Sequence, residues 1–499
     1  MWRIINLQKL SVTEILLSFL LWAALIWFLQ VLWKRRHLYK ASIGLPGPLA
    51  LPFIGSAFYF IGNPYDTFGQ ITQMFNQYPS IFRVWFGPRL FYAVSDPKYF
   101  EILFTSPHML GKEKLYELAS PVVGEGLFSA MSVSHWKKHR KIIMPTFNQK
   151  ILDSFMEVFV EQSQILSSVL EKYVNQDVDI SKLITRCTLD IICETAMGVQ
   201  IKAQSLESEF PKWVDRVLEI VMIRIFNIFY HSEVIFRNSP LGRDFYYCTG
   251  RIRSFTRGVV AEKKANYKKN RIVPGSGTLK RKAFLDLLIE TTNDGDVQLF
   301  TDEELIDETI TLMVAGSDTT AVTNCFTLTM LGMHKNIQEK VLTEILEVVG
   351  PKGNVELSHL PQLKYLERVI KETLRLFPIG AFLVRTADND KGCSVVFGIL
   401  RAHTNEKYWP EPYSFDPDRF LPEEVAKRPA AAYIPFSYGP RNCIGLKYAM
   451  MAMKTLLATV IRKYNVSTSY KSVRDIELKT NLVLRPKDGY KIKFELRNL

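Results

Sequence analysis

The sequence predicts a mainly α-helical protein with small β-sheets, preceded by one N-terminal transmembrane helix. Apolar residues recur at three- and four-residue spacing along much of the 499-residue chain, strand-like runs are short, and one apolar stretch near the start is long enough to cross a bilayer. Hydrophobic residues make up 47% of the chain, enough to fill a large core. The sequence has no glycine-rich nucleotide-binding loop after a strand, so a doubly wound α/β fold is not indicated.

The first element is the apolar segment from Ile15 to Trp33, whose nineteen residues include only two polar ones. At 1.5 Å per residue it would span about 28 Å, which fits one bilayer crossing; a buried soluble helix is the alternative. The basic residues Lys34 to Arg36 follow, and the positive-inside rule places the body of the protein in the cytosol. We therefore expect a short lumenal segment (1–14), an anchor (15–33), a basic and proline-rich hinge (34–56) and a folded body (57–499).

The body should consist of amphipathic helices and a few short strands. Helices are predicted at 151–174, 181–197, 282–292, 302–334 and 448–464, and strands at 81–87, 90–95, 393–400 and 490–496. The helix at 302–334 is the longest, and Thr301 or Asp302 with Glu304 resembles an N-cap followed by acidic residues in the first turn.

The middle of this long helix is unusual. Residues Ala315 to Thr320, AGSDTT, place a glycine, an acid and three hydroxyl residues in an otherwise apolar stretch. Because an unpaired buried charge is costly, the acid needs a partner or a chemical role. The alternative is a group of Ser and Thr side chains that bond back to helix carbonyls.

The net charge of +13 fits an anionic membrane surface, an acidic protein partner or nucleic acid. Much of the excess lies between Lys263 and Lys282, which we interpret as a solvated surface loop. The six scattered cysteines do not suggest a disulfide framework and indicate a reducing compartment.

One cysteine, Cys443, lies in a glycine-rich loop, PFSYGPRNCIG. A metal-ligating cysteine must be a thiolate, which backbone N–H groups, positive charge and a following helix N-terminus all favour. Gly439, Arg441 and Gly445 can supply the loop and the charge. No second ligand lies nearby in sequence, so a zinc or iron–sulfur site is disfavoured and a cofactor with its own ligands, such as heme, is favoured.

The same loop resembles the heme-binding signature of the cytochrome P450 family. Phe436, Gly439, Arg441, Cys443 and Gly445 match its pattern F-x-x-G-x-R-x-C-x-G. Three further motifs follow the family's order: AGSDTT in the long helix, KETLRL with Glu372 and Arg375, and YSFDPDRF with Arg419. The resemblance covers most of the chain after the anchor and implies the cytochrome P450 fold.

The resemblance also implies roles for individual residues. Cys443 would be the axial ligand of the iron in heme b, held in a loop that Phe436, Gly439 and Gly445 shape. Arg441, Trp136, Arg140 and Arg385 would bind the heme propionates, and Glu372, Arg375 and Arg419 would form a structural network. Asp318 and Thr319 look like the acid and alcohol pair that handles dioxygen, with Gly316 opening room beside the helix.

Within the family, the loop and the helix after it look most like family 4, especially its insect members. Many family 4 enzymes use a glutamate at the position of Ala315 for an ester bond to the heme, so covalent attachment is not expected here. Four apolar segments should contact a lipophilic substrate. They are Leu115 to Ala130, Ile220 to Phe236, the long helix around Met313 and Val314, and Phe377 to Val384.

The resemblance implies partners as well. The chain has no flavin or nicotinamide segment, so NADPH-cytochrome reductase would supply electrons, with cytochrome b5 as a further donor and no nucleic acid as a partner. The resemblance, together with the N-terminal anchor, implies a single-pass protein of the endoplasmic reticulum membrane with its catalytic domain on the cytosolic side. A basic face for the acidic reductase is expected from Lys137, Lys138, Lys141, Lys447 and Lys454.

One departure from the family pattern lies between Arg385 and Cys393. The segment TADNDKG is shorter than the strand-and-turn connection expected there, so a small sheet beside the cavity would be truncated. The leading function is a monooxygenase of a lipophilic substrate. There are two alternatives. One is a heme-thiolate isomerase or dehydratase, and the other is a heme-binding protein that has lost turnover because of the shortened segment.

Overall fold

A computed structural model describes residues 12–51, 54–60, 66–78, 80–206, 208–272, 282–293, 299–387 and 393–498. The helices of the first half are α1 (Val12–Ser42), α2 (Thr67–Gln77), α3 (Pro97–Thr105), α4 (Ser120–Val123), α5 (Val133–Ile143), α6 (Gln149–Asp153), α7 (Met156–Leu170), α8 (Ser181–Ile192), α9 (Phe210–Phe226), α10 (Glu233–Asn238) and α11 (Pro240–Ile272). Those of the second half are α12 (Phe284–Asn293), α13 (Asp302–Met333), α14 (Lys335–Val348), α15 (Lys364–Leu376), α16 (Ile399–His403), α17 (Pro422–Val425) and α18 (Leu446–Lys463).

Nine strands form three small sheets in the described part of the chain. They are β1 (Ile81–Phe86), β2 (Arg89–Val94), β3 (Asp177–Asp179), β4 (Phe382–Thr386), β5 (Cys393–Gly398), β6 (Tyr464–Thr468), β7 (Leu478–Asn481), β8 (Val483–Pro486) and β9 (Lys491–Leu496). The sheets have the orders β1-β2-β5-β4, β3-β9-β6 and β7-β8. Strands β2 and β5 are parallel, and the other pairs are antiparallel. The predicted fold class, mainly helical with small sheets, is confirmed.

The N-terminal helix extends beyond the predicted anchor. Helix α1 continues through the basic residues to Ser42, and the span Thr13–Ser42 is long and apolar enough to cross a membrane. Its last turns lie on the body, where Tyr39 stacks on Trp85 of β1 with 4.4 Å between ring centroids. The expected hinge is therefore helical in its first part.

The proline-rich part of the expected hinge also packs on the sheet. The backbone N–H of Arg83 donates to the carbonyl of Pro46 at 2.9 Å. A Cβ on Gly47 would lie 2.2 Å from the carbonyl oxygen of Arg83, so glycine is needed for this close approach. The segment is therefore attached to β1 and does not behave as a free connection.

The long helix α13 crosses the molecule as predicted. Thr301 and Glu304 form a reciprocal capping box at its start, and its 32 residues span about 48 Å. A Cβ on Gly316 would lie 2.6 Å from the side chain of Ile192 in α8. This glycine therefore allows α13 and α8 to approach each other closely, and the expectation that it opens room for dioxygen stays a prediction.

The other predicted elements agree with the structure to within a few residues. The predicted helix at 151–174 is divided into α6 and α7, and the helix at 181–197 ends in a wide turn at Cys193–Met197. The predicted strand at 393–400 ends at Gly398, where α16 begins. The basic segment 263–282, interpreted as a loop, continues helix α11 to Ile272, and its residues 273–281 lie outside the described residues.

The shortened segment after Arg385 joins β4 to β5. These strands pair in continuous register from Phe382 opposite Gly398 to Thr386 opposite Ser394. Residues 388–392, which contain most of the shortened connection, lie outside the described residues. The short connection thus leaves the pairing of its two flanking strands intact.

Candidate active site

The cysteine loop precedes helix α18 and holds Cys443 at an accessible position. Cys443 is exposed, whereas Cys187, Cys193, Cys248 and Cys325 are buried. The backbone N–H of Cys443 donates to the carbonyl of Phe436 at 2.9 Å, which closes the loop. Gly439 has φ +72°, and a Cβ there would lie 2.1 Å from the carbonyl oxygen of Phe104, so only glycine fits.

The surroundings of the thiol act on its charge in opposite directions. Protein atoms surround Cys443 on most sides although solvent reaches it, and this burial raises the pKa of the thiol. The backbone N–H of Gly445 and the guanidinium of Arg140 lower the pKa. Gly445 is also the N-cap of α18, so the positive end of that helix points toward the loop.

Beside the loop, the buried cations Lys112, Arg385 and Arg441 lie close together, and among the described residues none of them forms an ion pair with an acid. Arg441 donates one N–H to the carbonyl of Ala130 at 3.2 Å, while its Nε and NH1 atoms are buried without a hydrogen-bond partner among the described residues. Burial and the nearby Arg385 lower the pKa of Arg441 to about 9. Burial, Arg385 and Arg441 likewise lower the pKa of Lys112.

These cations require an anionic partner, because buried charges are normally paired. The two propionates of a heme would provide the missing carboxylates, and Cys443 offers an accessible sulfur near Arg140. The residues present therefore fit a heme. Lys112 was missed by the sequence prediction, because it lies in an ordinary run of charged residues and only the fold brings it to Arg385 and Arg441.

Trp136 and Arg140 lie on α5, four residues apart, as predicted. The guanidinium of Arg441 lies over the indole of Trp136, 4.4 Å from the ring centroid. Arg140 donates to the carbonyl and side-chain oxygens of Asn442 at 2.8 and 2.6 Å. The expected propionate ligand Arg140 is thus bound to the cysteine loop in this structure.

The predicted network of Glu372, Arg375 and Arg419 is present. Arg375 donates two parallel hydrogen bonds of 2.7 Å to Glu372, and both side chains are fully buried. Arg419 Nε lies 3.6 Å from Glu372 Oε1. Burial raises the pKa of Glu372, while Arg375 lowers it. A bidentate, fully buried pair of this kind fixes the geometry of the elements around it.

The network reaches the cysteine loop through carbonyl oxygens and a histidine. Arg375 also donates to the carbonyls of His403 and Pro412 at 3.0 and 2.7 Å. The His403 ring accepts from the backbone N–H of Ile434 at 3.0 Å, next to the start of the loop. Burial and Arg375 lower the pKa of His403 to about 3, so its ring is neutral at neutral pH.

On α13, Asp318 and Thr319 lie side by side at the wall of a cavity. The Thr319 hydroxyl donates to the carbonyl of Ala315 at 2.7 Å, as the alternative of back-bonded hydroxyls predicts. The buried Asp318 has a partner from another element, because it forms an ion pair with Arg485 of β8. Arg485 was not predicted.

Arg485 is shared between two acids. It also lies 3.2 Å from Asp215 of α9. Burial opposes the charged form of Arg485, but Asp318 and Asp215 together raise its pKa. Burial raises the pKa of Asp215 to about 6, although Arg485 lowers it. The cation therefore connects the long helix to α9 and to the β7-β8 hairpin.

The cavity beside Asp318 and Thr319 has a volume of about 410 Å³ and is lined mainly by apolar side chains. Each of the four predicted substrate segments contributes residues. They include Leu115, Tyr116, Val122 and Phe128; Val221, Met222, Ile225 and Phe226; Val314; and Ile379, Phe382 and Val384. Met313 is buried in the core and does not line this cavity. The walls from β1, β2 and β5 were not predicted.

Four of the five lysines in the predicted basic face are exposed: Lys137, Lys138, Lys141 and Lys447. The expectation that Lys454 belongs to this basic face is wrong. It is buried, and its ammonium group donates to Glu367 at 2.6 Å and to the carbonyl of Leu360 at 2.8 Å. Its position on the inner face of α18 explains this difference.

Comparison with known proteins identifies the family of this chain. The family model described as Cytochrome P450 matches residues 45–494. Cytochrome P450 4V2 of Mus musculus is 37% identical, covering 90% of this chain and 89% of its own. Cytochrome P450 4c3 of Drosophila melanogaster is 36% identical, covering 96% and 94%. Cytochrome P450 4c21 of Blattella germanica is 33% identical, covering 93% and 95%.

A solved structure has the same fold. The crystal structure of the cytochrome P450DA heme domain superposes with a TM-score of 0.78 at 23% sequence identity, covering 91% of this chain and 98% of that one. At this identity the likeness supports the fold alone.

Proposed function

Since this chain belongs to the cytochrome P450 family, and is therefore a heme-thiolate monooxygenase, we propose that it inserts one oxygen atom from dioxygen into a lipophilic substrate with electrons from NADPH supplied by a separate reductase. Fatty acids, hormone-like lipids and xenobiotics are the substrate classes proposed. The observation that carries the proposal is the apolar cavity of about 410 Å³ bordered by Asp318 and Thr319. Such a cavity suits molecules that bury apolar surface.

The cofactor is proposed to be heme b, held without a covalent bond. Cys443 would ligate the iron. The buried cations Arg441, Arg385 and Lys112 would pair with the two propionates, which would supply the anionic partners that these cations need. Trp136 and Arg140 complete this set on α5. Ala315 has no carboxylate to form an ester bond. When bound, the heme supplies the activation of dioxygen.

Two side chains of α13 are proposed to manage protons at the cavity wall. The Thr319 hydroxyl lines the cavity and donates its proton to the carbonyl of Ala315 in this structure, so it would have to turn away from that carbonyl to donate the proton into the cavity. Asp318 would resupply the proton to Thr319, and Arg485, which also contacts Asp215, would hold Asp318 in place for this role. The apolar lining limits water around Thr319, so proton supply would depend on these groups.

The partners and the location follow from surface features. The exposed lysines of α5 and α18, Lys137, Lys138, Lys141 and Lys447, would attract an acidic reductase, and cytochrome b5 could bind the same face. Helix α1 would anchor the protein in the endoplasmic reticulum membrane with the body in the cytosol. The catalytic domain is proposed to comprise residues 57–499, and the family match, over residues 45–494, also includes the end of the proline-rich segment.

The proposal is tested with full-length protein reconstituted with NADPH-cytochrome reductase in lipid vesicles. A panel of fatty acids, hormone-like lipids and xenobiotics is screened for NADPH-dependent products that carry one labelled oxygen atom from dioxygen. We expect labelled product only with the reductase present. Product formed without reductase or NADPH would favour an isomerase or dehydratase. Heme binding without turnover of any compound would favour a protein that has lost activity.

A further inference from the structure

Two histidines of α5 and a glutamate of α13 lie together, and none of them has a role in the proposed reaction. His135 and His139 are four residues apart on α5 and share one face of the helix. Glu304 lies in the first turn of α13. One ring nitrogen from each histidine and one oxygen of Glu304 all lie within 4.8 Å of one another. Two histidines and a glutamate are a known ligand set for zinc.

The remaining ring nitrogens of both histidines are already fixed. His139 donates from Nδ1 to Oε1 of the buried Glu308 at 2.7 Å, and His135 donates from Nε2 to the carbonyl of Glu125 at 3.1 Å. Histidines that ligate metals usually donate their second N–H to a carboxylate or a backbone carbonyl, which fixes the tautomer and orients the ring. A metal would therefore bind His139 through Nε2, which already faces Glu304 Oε1, and His135 through Nδ1.

Glu304 is fixed in the same way. Its Oε2 accepts the backbone N–H of Thr301 at 2.7 Å, and its Oε1 lies 3.3 Å from His139 Nε2. Two ligand atoms on a tetrahedral ion with bonds of about 2.0–2.1 Å are separated by about 3.3–3.4 Å. The separation of these two atoms already matches one edge of such a site, and Oε2 keeps its role in the helix cap.

We propose that His135, His139 and Glu304 form a binding site for a borderline divalent transition metal of the Zn²⁺ class, with a fourth position open to water. His135 and Glu304 are half-buried, so an ion can enter from solvent, while His139 forms the inner wall. The ring of Phe300 lies against His139 with 4.7 Å between centroids and restricts its movement.

A bound ion would connect three segments around the cavity. His135 and His139 belong to α5, Glu304 to α13, and the carbonyl that orients His135 to the loop at Glu125. The segment that contains this loop also contributes Leu115, Val122 and Phe128 to the cavity wall. The ion would therefore stabilise this loop against α13, since a ligand that binds only the folded state raises its stability.

The test uses heme-loaded full-length protein without a polyhistidine tag, titrated calorimetrically with ZnCl₂ and examined by X-ray absorption at the zinc edge. We expect one zinc per chain with nitrogen and oxygen neighbours and no sulfur. Glu304→Gln keeps a side chain suited to the capping box but removes the charged ligand, and His135→Asn removes one imidazole. Each should weaken zinc binding at least about tenfold, since even outer-shell changes at metal sites cost 10–100-fold.

His108→Asn is the matched control, because it removes an exposed histidine that is not part of the cluster. It should leave zinc binding unchanged. The carbon monoxide difference spectrum of each reduced variant verifies that the variant folds and binds heme. If His135→Asn fails to fold, zinc binding by Glu304→Gln alone tests the proposal. Zinc binding that is insensitive to the substitutions at the site, a sulfur-containing ligand shell, or no zinc retained by the unmodified protein would overturn the proposal.

Discussion

Asp318 of the long helix forms an ion pair with Arg485, which comes from the β7-β8 hairpin near the end of the chain. Asp318 is 6% exposed and Arg485 15%, so the pair is largely withdrawn from water. The acid of the AGSDTT motif is thus held by a residue that the motif does not contain. This contact makes the hairpin part of the structure that positions the proposed proton pathway.

We predict that Arg485→Gln destabilises the protein by about 3–5 kcal/mol, because it leaves the Asp318 carboxylate buried without its cation. Asp318→Asn removes the other charge. If the two charges interact as described, the double variant will be less destabilised than the sum of the single variants, with an interaction energy of about 0.5–3 kcal/mol. Urea unfolding of the four proteins measures this, and strictly additive effects would contradict the pair.

Thr319→Ala should separate electron consumption from product formation. The substitution removes a hydroxyl at the cavity wall and none of the residues proposed to hold the heme, so heme content should not change while the ratio of product to NADPH consumed falls. Loss of one positioned proton donor typically costs about 10²–10⁴-fold in the rate that it serves. Thr319→Ser keeps the hydroxyl and should retain the ratio. Equal ratios in the alanine variant and the unmodified protein would remove Thr319 from the pathway.

Arg375→Ala should prevent accumulation of the heme-loaded protein. It leaves the fully buried Glu372 without its bidentate partner, at a cost of about 3–5 kcal/mol. Arg375→Lys keeps the charge but not the fork of two hydrogen bonds and should give an intermediate yield. Lys212→Ala, in an exposed pair with Glu209, serves as the control and should match the unmodified protein. Heme content per milligram of protein measures the effect.

Stability should fall on mild acidification because of His403. Its pKa is about 3 in the folded protein, below the ordinary 6.5 of the unfolded chain. The unfolded state therefore binds more protons below pH 6.5, and His403 contributes a loss of up to about 1.4 kcal/mol per pH unit as the pH falls further. Thermal unfolding midpoints between pH 7.5 and 5 should decrease less steeply in His403→Gln. An identical slope in both proteins would assign the acid sensitivity to other groups.

The local elements were largely predictable because periodicity and capping signals act over short distances. Helix α13 starts at the predicted cap, since Thr301 and Glu304 satisfy each other's backbone N–H groups. The glycines of the cysteine loop were recognised from the signature that they match. The contact that leaves Gly439 no room for a side chain, with the carbonyl of Phe104, comes from a distant segment and was not predicted.

Contacts between distant segments were not predictable from the residues alone. Arg485 and Asp318 are 167 positions apart, and nothing in the hairpin's sequence indicates that it reaches α13. Lys112 joins Arg385 and Arg441 only after folding. Lys454 illustrates the opposite error, because a lysine on a helix near the site was expected at the surface and instead pairs with Glu367 in the interior.

The most direct test of the account is the carbon monoxide difference spectrum of the reduced protein and of its cysteine variants. The unmodified chain and Cys393→Ser, which changes a half-buried cysteine of β5, should both show the red-shifted Soret band of a thiolate-ligated heme. Cys443→Ser should lack it. Absence of the band from the unmodified protein, or its persistence in Cys443→Ser, would contradict the assignment of Cys443 as the iron ligand.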